Sequence, residues 1–163
     1  MIREIRTYPN PILKKKAEEI KEINEEVKKL SRDMIETMKA NQGIGLAGPQ
    51  IGESKRIIIV QTEQGPVCFI NPEIVKKSKE TEVVEEGCLS VPGVFLKIKR
   101  AKEVEVSALN LQGKKVYIKA KGLVAIIFQQ EIDHLNGILI IDKISRFQRW
   151  RIRNKLKELE KSV

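Results

Sequence analysis

Between Asn24 and about Asn41 the apolar residues Val27, Leu30, Met34 and Met38 recur at intervals of three and four, which predicts an amphipathic helix. Asn24 suits the capping position, and Glu25 and Glu26 complement the positive end of that helix. From Lys55 to Lys119 the period changes to short β-like runs, RIIIVQ, PVCFI, TEVVEE, VFLKIK, EVEVSAL and KVYIK, with NLQGKK as a hairpin turn between the last two. Alternation at Val104, Val106 and Ala108 predicts antiparallel strands with one buried face. The helical period returns from Gly122 to Gly137, where Leu123, Ile127, Gln130 and His134 share a stripe with Ile126 beside it. Gln130 and His134 thus continue an apolar face, which places both in the interior. A third helix is predicted for SRFQRWRIRNKLKELEKSV, with Ile152, Leu156, Leu159 and Val163 on one stripe and Arg146, Arg153, Lys157 and Lys161 roughly opposite. Strands in succession, with helices before and after, predict an α+β fold, and 163 residues suit one domain spanning 1–163.

No apolar run approaches the length needed to span a bilayer, and MIREIRTYPN lacks the hydrophobic centre of a secretory signal, so a cytoplasmic protein with no membrane partner is expected. The net charge of +9 favours approach to something anionic. The basic face of the C-terminal helix is either a solvated face or a handle for RNA or the ribosome, with Phe147 and Trp150 as the aromatics available for stacking. Of the two cysteines, Cys68 lies in the apolar run PVCFI and is expected in a buried strand. Cys88, in EEGCLSVPG, follows a glycine and precedes a turn, where a thiol can be aimed at a site.

GIGLAG, residues 43–48, matches the spacing of a dinucleotide-binding loop, but a helix precedes it and a strand follows, the reverse of what that motif requires. No dinucleotide cofactor is expected. What remains is a loop whose glycines allow close approach of backbone to ligand, ending in Gln50, whose amide can donate hydrogen bonds. In QQEIDHLNG, residues 129–137, Glu131 and His134 stand where a zinc-hydrolase helix has its glutamate and second histidine, and Gln130 stands where the first histidine would be. His134 is the only histidine in the chain. Cys88 with His134 and Gln130 would give three protein ligands and an open position, with Glu131 as the acid and base for bound water. A substitute ligand, a disabled site and an introduced substitution all remain open at position 130.

In order and spacing, GIGLAGPQ (43–50), EGCLS (86–90) and QQEIDH (129–134) resemble the three signature motifs of the peptide deformylase family, and the likeness runs from RTYPNPIL to GLVAIIFQQEIDHLNGILIID. The resemblance implies a compact α+β metallohydrolase, with antiparallel strands around a central helix carrying the metal motif and with N- and C-terminal helices. It implies removal of the N-formyl group from the leading methionine of newly made polypeptides. It implies one divalent cation, Fe2+ or its substitutes Zn2+, Ni2+ and Co2+, held by Cys88, His134 and the side chain at position 130. By the same resemblance Glu131 is the acid and base, Gln50 and the Leu89 N–H bind the oxyanion, and Asp133 pairs with Arg100. Gly43, Ile44, Gly45, Val84, Leu123, Ile126 and Ile127 would meet the substrate. Because an amide oxygen is a poorer ligand than imidazole, two readings follow: a deformylase of reduced activity, or a catalytically impaired peptide- or ribosome-binding relative.

Overall fold

The computed structural model describes residues 1–162, so Val163 lies outside the described residues. Helix α1 (Glu25–Ala40) begins where the sequence predicts, with Asn24 Oδ1 accepting the Val27 N–H at 3.1 Å. Its stripe of Val27, Leu30, Met34 and Met38 is buried against Leu46, Ile57, Ile59 and Ile70. Strands β1 (Gly45–Ala47), β2 (Ile57–Thr62), β3 (Gly65–Lys77), β6 (Glu103–Leu109) and β7 (Lys115–Lys121) form an antiparallel sheet in the order β1-β2-β3-β6-β7. Strands β4 (Thr81–Cys88) and β5 (Val91–Ala101) pair antiparallel as a separate hairpin, with a bulge between Gly87 and Cys88.

Helix α2 (Gly122–Leu135) carries the metal-site motif and contacts both sheets. Ala125, Ile127, Phe128, Ile132 and Leu135 bury it against the larger sheet, where the Phe128 and Phe69 rings sit 5.0 Å apart. Gly137 ends it with φ 75°, and a β-carbon there would run into the Lys14 carbonyl, so glycine is required by both conformation and space.

Three expectations change. The GIGLAG loop contains an edge strand, β1, because Leu46 and Ala47 are fully buried and their register with Ile59 and Ile58 completes the sheet. The single C-terminal helix is two, α3 (Arg146–Arg151) and α4 (Arg153–Lys161). The Arg153 guanidinium donates to the Trp150 carbonyl at 2.8 Å, an acceptor that a continuous helix would bond to backbone, and Leu156 is the residue this region buries. The buried glutamine of α2 is Gln129, whereas Gln130 is half-buried. Gln129 pairs with both backbone groups of Ala101 (Oε1 from N–H at 3.0 Å, Nε2 to C=O at 2.9 Å) and so fastens α2 to the end of β5.

Candidate metal centre

Cys88 ends β4, displaced by the bulge at Gly87, and His134 lies in the last turn of α2. The fold brings Cys88 Sγ to 3.3 Å from His134 Nε2, across 46 residues of sequence. With metal bonds of about 2.3 Å to sulfur and 2.0–2.1 Å to nitrogen, that separation subtends roughly 100° at a shared cation, within reach of a four-coordinate site. His134 is 1% exposed; burial, and then the Arg100 charge, push its pKa down to about 4, so the imidazole is neutral and its lone pair available. Burial, and then the charge of Glu131, push the Cys88 thiol up to about 12, against the N–H groups of Ser90 and Val91, which lower it. A cation would replace that thiol proton and take the buried negative charge.

Gln50 is 2% exposed and fixed from both ends. Its Oε1 accepts the Ala47 N–H at 3.0 Å, while Nε2 donates to Ser90 Oγ at 3.2 Å and lies 3.7 Å from Cys88 Sγ. The Ser90 N–H also points at that sulfur, 3.4 Å away. An amide donor is thereby held beside the thiol.

Glu131 is 4% exposed, and its Oε2 has no hydrogen-bond partner. Burial, and then the charge of Glu86, raise its pKa to about 8, with Arg100 pulling the other way. A buried carboxyl oxygen left free of protein partners, beside a thiol and an imidazole, suits a cation site whose water it would hold. A β-carbon at Gly45 would stand 2.8 Å from Glu131 Oε1 and from Ile127 Cγ2, so the glycine makes room for the carboxyl. Among the described residues no three His, Cys, Asp or Glu side chains converge. Gln130 donates from Nε2 to the Gly87 carbonyl at 3.0 Å, next to the cysteine, which leaves Oε1 as its free polar atom. Thiol, imidazole and carboxamide are a set that fits a divalent cation, more weakly than one with two histidines.

Of the other residues named from sequence, Leu89 stands in the turn after β4, where a β-carbon on Gly43 would meet its Cδ1 at 3.1 Å. Val84 shares the face of β4 that carries Cys88 and is half-buried, as is Ile126. Ile127 belongs to the main core, while Ile44 and Leu123 are 47% and 60% exposed. Asp133 does pair with Arg100, at 2.7 Å. Three residues escaped the sequence reading. Glu86, two before Cys88 on the same strand face, was legible from strand alternation alone. Ser90 and Gln129 lie inside the EGCLS and QQEIDH stretches, but their partners are set by tertiary packing and could not be read from the sequence.

Comparison with known proteins gives a consistent result. The family model for polypeptide deformylase matches residues 2–150. The chain is 56% identical over 144 residues to the peptide deformylase of Dictyoglomus turgidum, covering 88% of this chain and 93% of that protein. It is 45% identical over 159 residues to that of Thermotoga maritima, covering 98% and 97%. The crystal structure of the Thermotoga maritima enzyme superposes with a TM-score of 0.87 at 46% identity over 89% of this chain and 99% of that one. The Ehrlichia chaffeensis peptide deformylase structure gives 0.92 at 39% identity, covering 99% and 98%. The convergence of Cys88, His134, Gln50 and Glu131 and the match over nearly the whole sequence lead to one assignment: this chain belongs to the polypeptide deformylase family.

Proposed function

We propose that this chain removes the N-formyl group from the N-terminal methionine of newly made polypeptides, releasing formate and a free amine. The observation that carries this is the 3.3 Å approach of Cys88 Sγ to His134 Nε2, beside a buried carboxyl and an amide donor. Cys88, His134 and Gln130 would hold one divalent cation, Fe2+ in the first instance with Zn2+, Ni2+ or Co2+ as substitutes. When bound, the cation supplies Lewis-acid chemistry that makes water nucleophilic near neutral pH.

The residues of the chain do the rest. Glu131, whose carboxylate form the charge of a bound cation would favour over the acid that burial alone favours, accepts the proton of the attacking water and returns it to the departing amine. Gln50 Nε2 and the Leu89 N–H donate to the formyl oxygen as it becomes an oxyanion, each commonly worth ~10²–10³ in rate. Ile126, Ile127 and Val84 offer an apolar wall for the methionine side chain, with Ile44 and Leu123 at its exposed rim and Gly43 and Gly45 beside the reacting groups. Gln130 supports a companion reading, that turnover is lower than with an imidazole at this position.

The partners are formyl-methionyl nascent peptides, encountered in the cytoplasm. Contact with the ribosome through the C-terminal region is supported by its surface. Phe147 and Trp150 are 65% and 58% exposed, and the Arg153 guanidinium lies 3.8 Å over the Trp150 ring. No described helix is long and apolar enough to cross a membrane.

The test is formate release from a formyl-methionyl peptide after metal loading under anaerobic conditions. Turnover is expected in the loaded protein and absent, by a factor of about 10²–10⁴, in Glu131→Gln. Equal turnover in that variant would remove Glu131 from the role.

A further inference from the structure

Arg100 is 4% exposed and closes an ionic triad with buried Glu86 and half-buried Asp133 behind the site. Its Nε and Nη2 donate to Glu86 Oε2 and Oε1 at 2.7 and 2.8 Å, and its Nη1 donates to Asp133 Oδ2 at 2.7 Å. Lys143 Nζ stands 3.9 Å from the same Asp133 oxygen. The two carboxylates come from the two elements that carry Cys88 and His134. Glu86 is two residues before Cys88 on one face of β4, and Asp133 immediately precedes His134 on α2. Arg100 itself comes from β5, so one side chain joins both strands of the hairpin to the helix.

We propose that Arg100 is a positioning residue for the cation site: by gripping Glu86 and Asp133 at once, it holds Cys88 and His134 at their bonding separation before any cation arrives. This rests on the reading that those two residues bind the metal. Burying the Arg100–Glu86 pair away from water, with Asp133 half-buried beside it, is unfavourable unless the geometry is closely satisfied, and apolar side chains of the same volume would pack this interior as well or better. What an apolar trio does not do is fix angle as well as distance. A planar guanidinium with a two-pronged grip on Glu86 and a third donor on Asp133 does both. The other ties between helix and hairpin, Gln129 to Ala101 and Gln130 to the Gly87 carbonyl, act in the same direction at neighbouring positions of α2. Lysine at position 100 keeps the charge and loses the fork.

The experiment is a Co(II) titration of the metal-free, full-length protein, followed by the thiolate-to-cobalt charge-transfer band and the d–d bands. Arg100→Lys is expected to weaken Co(II) binding by roughly 10–100-fold and to shift the d–d envelope. Asp133→Asn is expected to weaken binding in the same direction by a smaller factor, and it decides the matter if Arg100→Lys does not fold. Asp33→Asn, which perturbs a buried carboxylate of α1 outside the site, is expected to leave both affinity and spectrum unchanged. An Arg100→Lys affinity within about twofold of wild type, with an unaltered spectrum, would overturn the positioning role. A wild-type spectrum with no thiolate charge-transfer band would overturn the metal-site reading beneath it.

Discussion

Gly45 lies so close to Glu131 that a β-carbon on the one would stand 2.8 Å from Oε1 of the other. The glycine of the first motif and the glutamate of the third are therefore one packing unit. Its absent side chain sets where the Glu131 carboxyl rests.

Gly45→Ala should push Glu131 and Ile127 aside by several tenths of an ångström, because the 2.8 Å contacts are closer than carbon tolerates. Small displacements of a catalytic group can cost on the order of 10² in rate. Metal content should stay at the wild-type level while formate release falls by that order. A variant with unchanged turnover would mean that the carboxyl's position is not critical.

Gln130→His exchanges a neutral carboxamide for an imidazole. At matched metal loading it should tighten metal binding by at least the roughly 10–100-fold that outer-shell changes commonly produce, and raise formate release. Competitive chelator titration reads the first and a formate assay the second. No change in either places position 130 off the metal.

Asp33, 2% exposed, accepts hydrogen bonds from the Met1 amine at 2.9 Å and from Arg3 at 2.8 Å. The amine first, and then Arg3, hold its pKa below the ordinary 3.8 against the upward push of burial. A carboxylate whose folded-state pKa is depressed adds stability that is present above its unfolded pKa and is lost as pH falls through the folded one. Asp33→Asn should cost about 1–2 kcal/mol at pH 7, moderated because both donors are partly solvated. The difference from wild type should shrink as pH drops below about 4, measured by urea unfolding. A gap that stays constant from neutral pH to strongly acid conditions would contradict the assignment.

The sequence made the helices and most strands legible because their signals are local. Asn24 and the Val27, Leu30, Met34, Met38 stripe set α1, and apolar alternation set β6. Cys88, at a turn, and His134, on a motif helix, were also legible as candidates, and the fold brings them to 3.3 Å. Strand β1 was hidden because two buried residues beside glycines read as loop, and only pairing with β2 makes them a strand. Reading Gln130 as the buried glutamine failed by one position. Gln129 reaches the backbone of β5, and no periodicity reveals a partner 28 residues away. Glu86 was similarly overlooked, although it shares Cys88's strand face.

Joint binding of a single cation by Cys88 and His134 underlies every functional role proposed for this chain, and anomalous diffraction from crystals of the metal-loaded protein examines it without intermediaries. One peak is expected about 2.3 Å from Cys88 Sγ and about 2.0–2.1 Å from His134 Nε2. A peak at any other place, or none in crystals whose protein carries stoichiometric metal, would contradict shared coordination by the two residues.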